Sequence, residues 1–218
     1  MNYTQLSAAL VAYTENTGQD FADNIPTFVQ QAEKRIYNTV QIPALRKNMI
    51  GTATMNNKYL SAPNDFISVY SMAVVYGAGE YQYALDKDVN FIRAAYPTPN
   101  ATGTPKYYAI FGPQSDNATE LSFILGPTPD DDYQVELHYF YYPESIVTAG
   151  NTWLGDNFDP VLLYGALVEA YTYMKGEAEL LSQYSQKYIE ALSILKQLGD
   201  GKQRQDAYRS GQTRVAVR

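Results

Sequence analysis

The sequence contains no cysteine, and it has a single histidine and a single tryptophan among its 218 residues. Without cysteine the chain can form neither disulfides nor thiolate zinc sites, and it has no cysteine nucleophile. A usual zinc site would need a second histidine beside His138, and a serine-histidine pair would need a nearby nucleophile. In QVELHYFYY, His138 falls on the more polar face of a predicted strand. We interpret it as a partly exposed strand residue.

Long apolar runs and phosphate-binding loops are also missing. No run approaches the roughly 18 apolar residues of a membrane helix, and no basic and apolar leader follows Met1. The glycine-containing segments GAGEY and GTPKYY lack the lysine of a phosphate-cradling loop. We therefore expect an intracellular, soluble protein that is not an enzyme, with no cofactor, no metal site and no membrane contact.

Positive charge is scarce except at the C-terminus. The chain has 16 lysines and arginines against 23 aspartates and glutamates, a net charge of −7. Residues 1–198 have a net charge of −10, whereas residues 199–218 have one of +3. Tight binding to nucleic acid comes largely from basic side chains that neutralise phosphates. We therefore expect no specific DNA binding by the acidic body, and the basic end needs a separate explanation.

Helical periodicity appears at both ends of the chain. One predicted helix lies in TQLSAALVAYTENTG and ends at Gly18, and a second starts at Asn24 as its cap and ends before Pro43. A third starts at Asp159 and Pro160, and a fourth, EAELLSQYSQKYIEALSILKQLG, ends at Gly199. A helix hairpin exposes an apolar stripe that it cannot cover by itself, so we expect the two pairs to pack on each other.

Between these helices the apolar period changes from about 3.6 to two. The predicted strands are MIGTATM, KYLSAP, ISVYSMAVVY, EYQYAL, KYYAIFG, ELSFILG and DYQVELHYFYY, and a short helix is predicted in KDVNFIRAAY. Hairpin turns are expected at Asn56-Asn57 and across Gly77-Ala78-Gly79, because these residues tolerate positive φ. The region is predicted to consist mainly of short antiparallel strands.

The predicted fold class is α+β. It comprises an antiparallel four-helix bundle formed by the N- and C-terminal helix pairs (residues 1–48 and 156–198), a β-rich insertion (residues 49–155) and an extended C-terminal arm (residues 199–218). The arm has no helical apolar stripe, so it is not expected to order itself in isolation.

Candidate chemistry is sparse. Asp130, Asp131 and Asp132 form the densest acidic cluster, which we interpret as a solvated turn because it lacks the spacing of a calcium loop. Glu136 and Glu144 could serve as the acid and base of a glycosidase, an enzyme alternative that would require a defined separation. The 21 tyrosines stand out. They suit either contacts between subunits or the wrapping of the protein's own sheet.

Several motifs in order from Pro26 to about Lys196 carry a family resemblance. They are PTFVQQAEKRIYNTVQIPALRKN, NKYLSAPNDF, DKDVNFIRAAYP, GTPKYYAI, FILGPTP, VELHYFYYPESI and LLYGALVEAYTYMKGEAELLSQYSQKYIEALSILK. Together they resemble the head-to-tail adaptor (connector) family of tailed double-stranded DNA phages, in particular the short-tailed type with a helical bundle plus a β insertion. The resemblance implies a structural virion protein at the head-tail junction, made in the host cytoplasm.

The resemblance also implies a set of partners. It predicts a homo-oligomeric ring, commonly twelve-fold, below the portal protein and above the tail nozzle and fibre proteins, with DNA passing through the channel. The free subunit is expected to be a monomer that assembles on the portal. A C-terminal arm is expected to bind the portal, and the residues assigned to it here are Lys202, Arg204, Tyr208, Arg209, Arg214, Val215, Val217 and Arg218. Because TRVAVR alternates valine and arginine, we expect this end to add a strand to the portal.

One alternative from another class remains open. The chain could be a tail-associated carbohydrate-binding or fibre-docking module, in which tyrosine-rich strands form an aromatic groove. Under that interpretation the basic C-terminal residues would have no role.

Overall fold

The computed structural model describes residues 1–98, 100–112 and 121–209. In chain order its elements are α1 (Tyr3–Thr14), α2 (Gln19–Thr39), a 3-10 turn (Pro43–Leu45), β1 (Arg46–Ala53), β2 (Tyr59–Ser61), β3 (Phe66–Tyr76), β4 (Glu80–Asp86), α3 (Val89–Ala95), β5 (Tyr107–Phe111), β6 (Ser122–Gly126), β7 (Tyr133–Tyr141), α4 (Ile146–Ala149), α5 (Trp153–Asn157), α6 (Asp159–Met174) and α7 (Ala178–Arg209). Two compact units result: a helical unit, Met1–Leu45 together with the chain from Tyr142 onward, and a β unit, Arg46–Tyr141.

The helical unit is organised around α6. Buried side chains occur around most of its circumference: Val161, Leu162, Leu163, Ala166, Leu167, Ala170 and Tyr171. A helix that is apolar on all sides belongs in the middle of a structure, whereas a four-helix bundle needs one inward stripe per helix. Helices α1, α2 and α7 pack around α6, and α1 contacts α2 much less than it contacts α6. The predicted antiparallel four-helix bundle with a β insertion is therefore wrong.

The ends of the helices also differ from the predictions. Helix α1 ends at Thr14 instead of Gly18. Helix α2 starts at Gln19 instead of Asn24, and the side-chain amide of Asn24 donates to the carbonyl of Asp20 within the helix, at 2.7 Å. Helix α7 continues through Gly199 to Arg209, so the prediction of an extended arm is wrong for residues 199–209. A glycine weakens a helix by about 1 kcal/mol relative to alanine but does not by itself end it.

The β unit is a mixed, nearly closed sheet of seven strands. The strand order is β1-β7-β3-β4-β5-β6-β2. All seven predicted strands and the short helix α3 are confirmed. The β3-β4 hairpin is confirmed as well, with Gly77 and Gly79 at positive φ. The predicted β1-β2 hairpin is wrong, because β1 pairs with β7 and β2 pairs with β6.

One strand pair in this sheet is parallel. Strands β4 and β5 run in the same direction, although the pattern predicted antiparallel strands. About twenty residues, including α3, connect them, which is long enough for a crossover back to the starting end of the sheet. The apolar residues on one side of α3 pack with Ala109 and Ile124 on the outer face of β5 and β6.

The inner face of the sheet forms a core of its own. Its buried side chains come from six strands and include Met72, Val74, Phe123, Leu125, Val135, Leu137 and Tyr139. Phe66 and Phe123 meet edge to face, with their ring centroids 5.4 Å apart. The outer face is covered by α3 at β5 and β6, whereas the outer face of β1, β7, β3 and β4 displays large exposed side chains.

A buried hydroxyl in the helical unit gives a first prediction. The ring of Tyr188 on α7 is buried, and its hydroxyl has no hydrogen-bond partner among the described residues. An unsatisfied buried polar group costs about 1–3 kcal/mol. We expect Tyr188→Phe to raise the free energy of unfolding by about 1 kcal/mol in urea denaturation. As a control, Tyr139→Phe removes a hydroxyl that donates to Asp65 at 2.8 Å and is expected to destabilise. A loss of stability in Tyr188→Phe would contradict this prediction.

Candidate functional site

The predicted C-terminal arm begins as part of α7. Lys202, Arg204, Tyr208 and Arg209 all lie on this helix. The other four predicted portal-binding residues, Arg214, Val215, Val217 and Arg218, lie outside the described residues. The structure therefore brings four of the eight predicted residues onto one continuous helix.

The two longest helices of the C-terminal half differ strongly in length. Helix α6 has 16 residues and α7 has 32, which correspond to about 24 Å and about 48 Å. The short link at residues 175–177 and the contact between the two helices make them an antiparallel hairpin. Between Ala178 and Leu198, the part of α7 whose burial the structure describes, the buried residues are Tyr188, Ala191 and Leu195. The end of α7 that contains the basic residues extends beyond the length of α6.

Part of α7 displays apolar side chains to solvent. Ile189 and Ile194 are each 57 % exposed, and Leu198 is also exposed. The buried stripe continues to Leu195, so buried and exposed apolar residues alternate around the same turns of the helix. When exposed apolar side chains form a contiguous patch, the patch often marks a contact with another protein.

The uncovered outer face of the β unit displays a row of apolar side chains on β4. Tyr81, Tyr83 and Leu85 point to the same side of the strand and are 54 %, 63 % and 57 % exposed. Through the register of the sheet, Ile50 on β1 lies on the same face. Tyrosine combines a large apolar ring with a hydroxyl that stays hydrated, a combination enriched at protein interfaces.

An arginine packs against two aromatic rings at one end of this face. The guanidinium of Arg46 lies 4.0 Å from the ring centroid of Tyr70 and 5.4 Å from that of Phe140. Tyr70 is the extra residue of a bulge in β3, since Val69 pairs with Tyr139 and the next paired residue is Ser71. Cation-π contacts restrict the arginine before any partner arrives. No local sequence pattern singles out Arg46, because its contacts come from strands far apart in the chain.

A charged network anchors β1 to the segment before β3. Lys47 Nζ lies 2.7 Å from Asp65 Oδ2, and the Tyr139 hydroxyl donates to Asp65 Oδ1 at 2.8 Å. Burial disfavours ionisation of Asp65, but the hydrogen bonds from Lys47 and Tyr139 outweigh it, and the pKa of the carboxyl is lowered. Burial, followed by the bond to Asp65, raises the pKa of Tyr139 to about 12. The fully paired network serves to hold strands together.

Asp130, Asp132 and Glu136 form hydrogen bonds that contribute to the structure of the β unit. The turn at residues 130–132 is exposed, as predicted, and two of its side chains have specific partners. Asp130 accepts from the Tyr133 hydroxyl at 2.6 Å, and Asp132 accepts from the backbone N–H of Met55 at 2.7 Å. Glu136 accepts from the side-chain amide of Asn48 at 3.0 Å.

The described residues offer neither a metal-binding cluster nor a membrane-spanning helix. In the part of the chain that the structure describes, no group of three or more histidine, aspartate or glutamate side chains is arranged to hold a metal ion. None of the helices in that same part combines the length and the apolar character needed to cross a bilayer.

Some of the tyrosines are buried within the protein, and others are exposed to solvent. Tyr37, Tyr108, Tyr139, Tyr171 and Tyr188 are buried in the two units, whereas Tyr13, Tyr70, Tyr81, Tyr83, Tyr142 and Tyr173 are exposed. The first group helps to form the cores. The second group is available for contacts with other molecules.

Comparison with known protein families places the whole chain in one family. No curated protein matches the sequence. The family described as SU10 adaptor protein matches over residues 1–218, which covers the exposed faces of both units and the basic end of α7. The match agrees with the resemblance found in the motifs. The chain belongs to the SU10 adaptor protein family and is a structural virion protein, a phage head-tail adaptor.

Proposed function

We propose that this adaptor assembles as a ring, of twelve subunits in the usual arrangement, below the phage portal and above the tail nozzle. In this proposal DNA passes through the central channel, and the C-terminal end of each subunit binds the portal. The observation on which the proposal depends most is helix α7. It continues to Arg209 and bears Lys202 and Arg204 beyond the length of α6.

The charge distribution supports both parts of the proposal. Residues 1–198 have a net charge of −10, and like charges keep a DNA phosphate backbone from adhering to a channel wall. The last twenty residues have a net charge of +3. A basic terminal segment on an acidic protein favours a partner with an acidic surface, which is the role assigned here to the portal.

The helical start of the arm reduces the cost of docking. Ordering the backbone costs about 1–2 kcal/mol per residue, whereas an exposed ion pair contributes about 0–1 kcal/mol. Residues up to Arg209 already have helical backbone, so the docking of this part of the chain does not incur that backbone cost. In a ring, many copies of the arm would bind the portal at once, so the avidity of the ring would exceed the affinity of a single arm.

A ring requires two different faces on each subunit, because neighbours meet head to tail. The exposed apolar residues of α7, Ile194 and Leu198, and the exposed row on β4, Tyr81 and Tyr83, are two such faces on the two units. They support self-association or contact with nozzle proteins.

The portal contact is tested by deleting residues 200–218. Leu195, a buried residue of α7, is retained, so we expect the truncated chain to fold with an unchanged thermal midpoint. Its helical circular-dichroism signal should fall only by the contribution of the deleted helical residues 200–209. We expect it to lose binding to purified portal in sedimentation and to form no rings on portals in negative-stain electron micrographs.

A second variant separates charge from chain length. In the full-length chain, glutamine would replace Lys202, Arg204, Arg209, Arg214 and Arg218. If charge contributes to docking, this variant binds portal more weakly than the wild type, and the difference shrinks as salt concentration rises. Portal binding by the truncated chain at wild-type strength would refute the assignment of the arm.

A further inference from the structure

The β unit contains a pocket formed by the start of β2, the end of α3 and the segment after β6. It has a volume of about 480 Å³, which lies within the usual range of ligand sites. Its cations are Lys58 and Arg93, and its aromatic walls are Tyr59 and Tyr96. The remaining lining residues are asparagine, threonine and proline, and none of the nine is acidic.

The pocket lining has two cations and no carboxylate, although acidic residues outnumber basic ones in the chain by 23 to 16. Among the described residues, neither Lys58 nor Arg93 forms an ion pair. The ammonium of Lys58 lies 5.3 Å from the ring centroid of Tyr59. Two cations that have no ion-pair partner in the described part of the chain therefore border a pocket with aromatic sides.

Backbone contacts hold the walls of the pocket in place. Asn56 adopts a left-handed conformation, with φ of 61°, and its N–H donates to the carbonyl of Pro129 at 2.9 Å. The carbonyl of Lys58 accepts from the N–H of Leu125 at 2.8 Å. On the other side, a Cβ built on Gly126 would lie 3.2 Å from the Tyr96 ring, so glycine is what permits this close approach. The pocket is formed before any ligand binds.

We propose that this pocket binds an acidic peptide segment, with carboxylates at Lys58 and Arg93 and an apolar or aromatic neighbour between the tyrosine rings. The peptide would belong to a protein partner of the adaptor. Hydrogen bonds between a cation and a carboxylate are stronger than neutral ones, and they restrict where the ligand can sit.

The surroundings of the pocket favour a localised charge over a polyanion. The acidic turn Asp130, Asp131 and Asp132 follows Thr128, a residue that lines the pocket. A nucleic acid strand bears a phosphate at every nucleotide, whereas the pocket offers only two cations, Lys58 and Arg93. A peptide can place two carboxylates at the two cations and neutral residues elsewhere.

The test uses the full-length chain and a capped peptide with two adjacent glutamates beside a tyrosine. We expect this peptide to bind the wild type in calorimetric titration and to bind more weakly at high salt. The double variant Lys58→Gln/Arg93→Gln should lose at least about tenfold in affinity. The control variant Lys87→Gln/Lys106→Gln removes the same charge from the same unit outside the pocket, and it should bind like the wild type.

Three further probes decide between ligand classes: the same peptide with glutamines, inorganic phosphate, and single-stranded oligothymidine. The proposal is overturned if the glutamine peptide, phosphate or oligothymidine binds as tightly as the glutamate peptide. It is equally overturned if no probe binds, or if the pocket variant and the control variant bind alike. Thermal unfolding of both variants checks that each is folded. These variants leave α7 intact, so failure here is distinguishable from failure of portal docking.

Discussion

Replacing Gly165 by leucine is expected to destabilise the helical unit by about 3 kcal/mol, within the upper range for overpacked cores. Gly165 lies on α6 where α2 and α7 approach from different sides. A Cβ built there would lie 3.1 Å from Cε2 of Tyr188 and 3.2 Å from Cβ of Ala32. A leucine adds three more carbons with no space for them, so α2 or α7 must move. Urea denaturation followed by circular dichroism measures the effect.

A double-mutant cycle tests whether the collision with Tyr188 is the cause. Tyr188→Ala removes the ring, and a leucine at position 165 can then fill part of the space. The loss of unfolding free energy in the double variant should be smaller than the sum of the losses in the two single variants. We expect the difference to be at least about 1 kcal/mol. Gly51→Ala is the control, because nothing lies within 4 Å of a Cβ built at that position. Additive effects would contradict the packing explanation.

Replacing Glu33 by alanine is the second change with a large expected effect. We expect the free energy of unfolding to fall by about 2–3 kcal/mol. Glu33 on α2 is only 2 % exposed, and its Oε1 accepts from the backbone N–H of Ile146, at 2.9 Å, at the start of α4. Alanine would remove this acceptor and leave the N–H without its partner. Glu33→Gln keeps a carbonyl acceptor. At neutral pH its loss of unfolding free energy should therefore be much smaller than that of Glu33→Ala.

The same carboxyl gives a pH dependence with a definite sign. Burial raises the pKa of Glu33, and the hydrogen bonds from Ile146 and Ser145 offset only part of this effect. A pKa that is higher in the folded state means that the protonated form contributes stability. This contribution is fully present below the ordinary glutamate pKa and is lost as pH rises through the raised value.

The comparison of wild type with Glu33→Gln isolates this contribution. Relative to the glutamine variant, the wild type should become less stable as pH rises from about 4 to about 7. Other carboxylates, such as Asp65 with its lowered pKa, change stability in the opposite direction in both proteins and cancel in the difference. Free energies of unfolding measured across this range provide the test. A difference that is constant with pH would show that Glu33 does not titrate in this way.

Local sequence patterns predicted the elements of this protein well. Alternation of apolar residues identified all seven strands, and Asp159 with Pro160 marked the start of α6. Both signals depend on neighbours within a few residues, so they are readable without tertiary contacts. Glycine was the less dependable signal. The pattern predicts a helix end at Gly199, yet α7 continues through it to Arg209.

The arrangement of these elements was harder to predict. Asn56 has the positive φ expected of a hairpin turn, but β1 pairs with β7 and β2 with β6. Local conformation does not specify which strand is the partner, because pairing depends on residues more than sixty positions away. Similarly, the nearly continuous apolar sequence of α6 signalled a helix surrounded by others. Reading it as a single stripe led to the wrong bundle.

The sequence by itself determined the types and positions of the elements, the acidic body, the basic terminus and the adaptor family. Each of these follows from local periodicity, composition or ordered motifs. Only the tertiary structure decided that α6 is central, that the sheet nearly closes, and that Lys58 and Arg93 border one pocket. These features arise where distant segments meet to bury apolar surface, and the energy of such contacts depends on shape that no local pattern encodes.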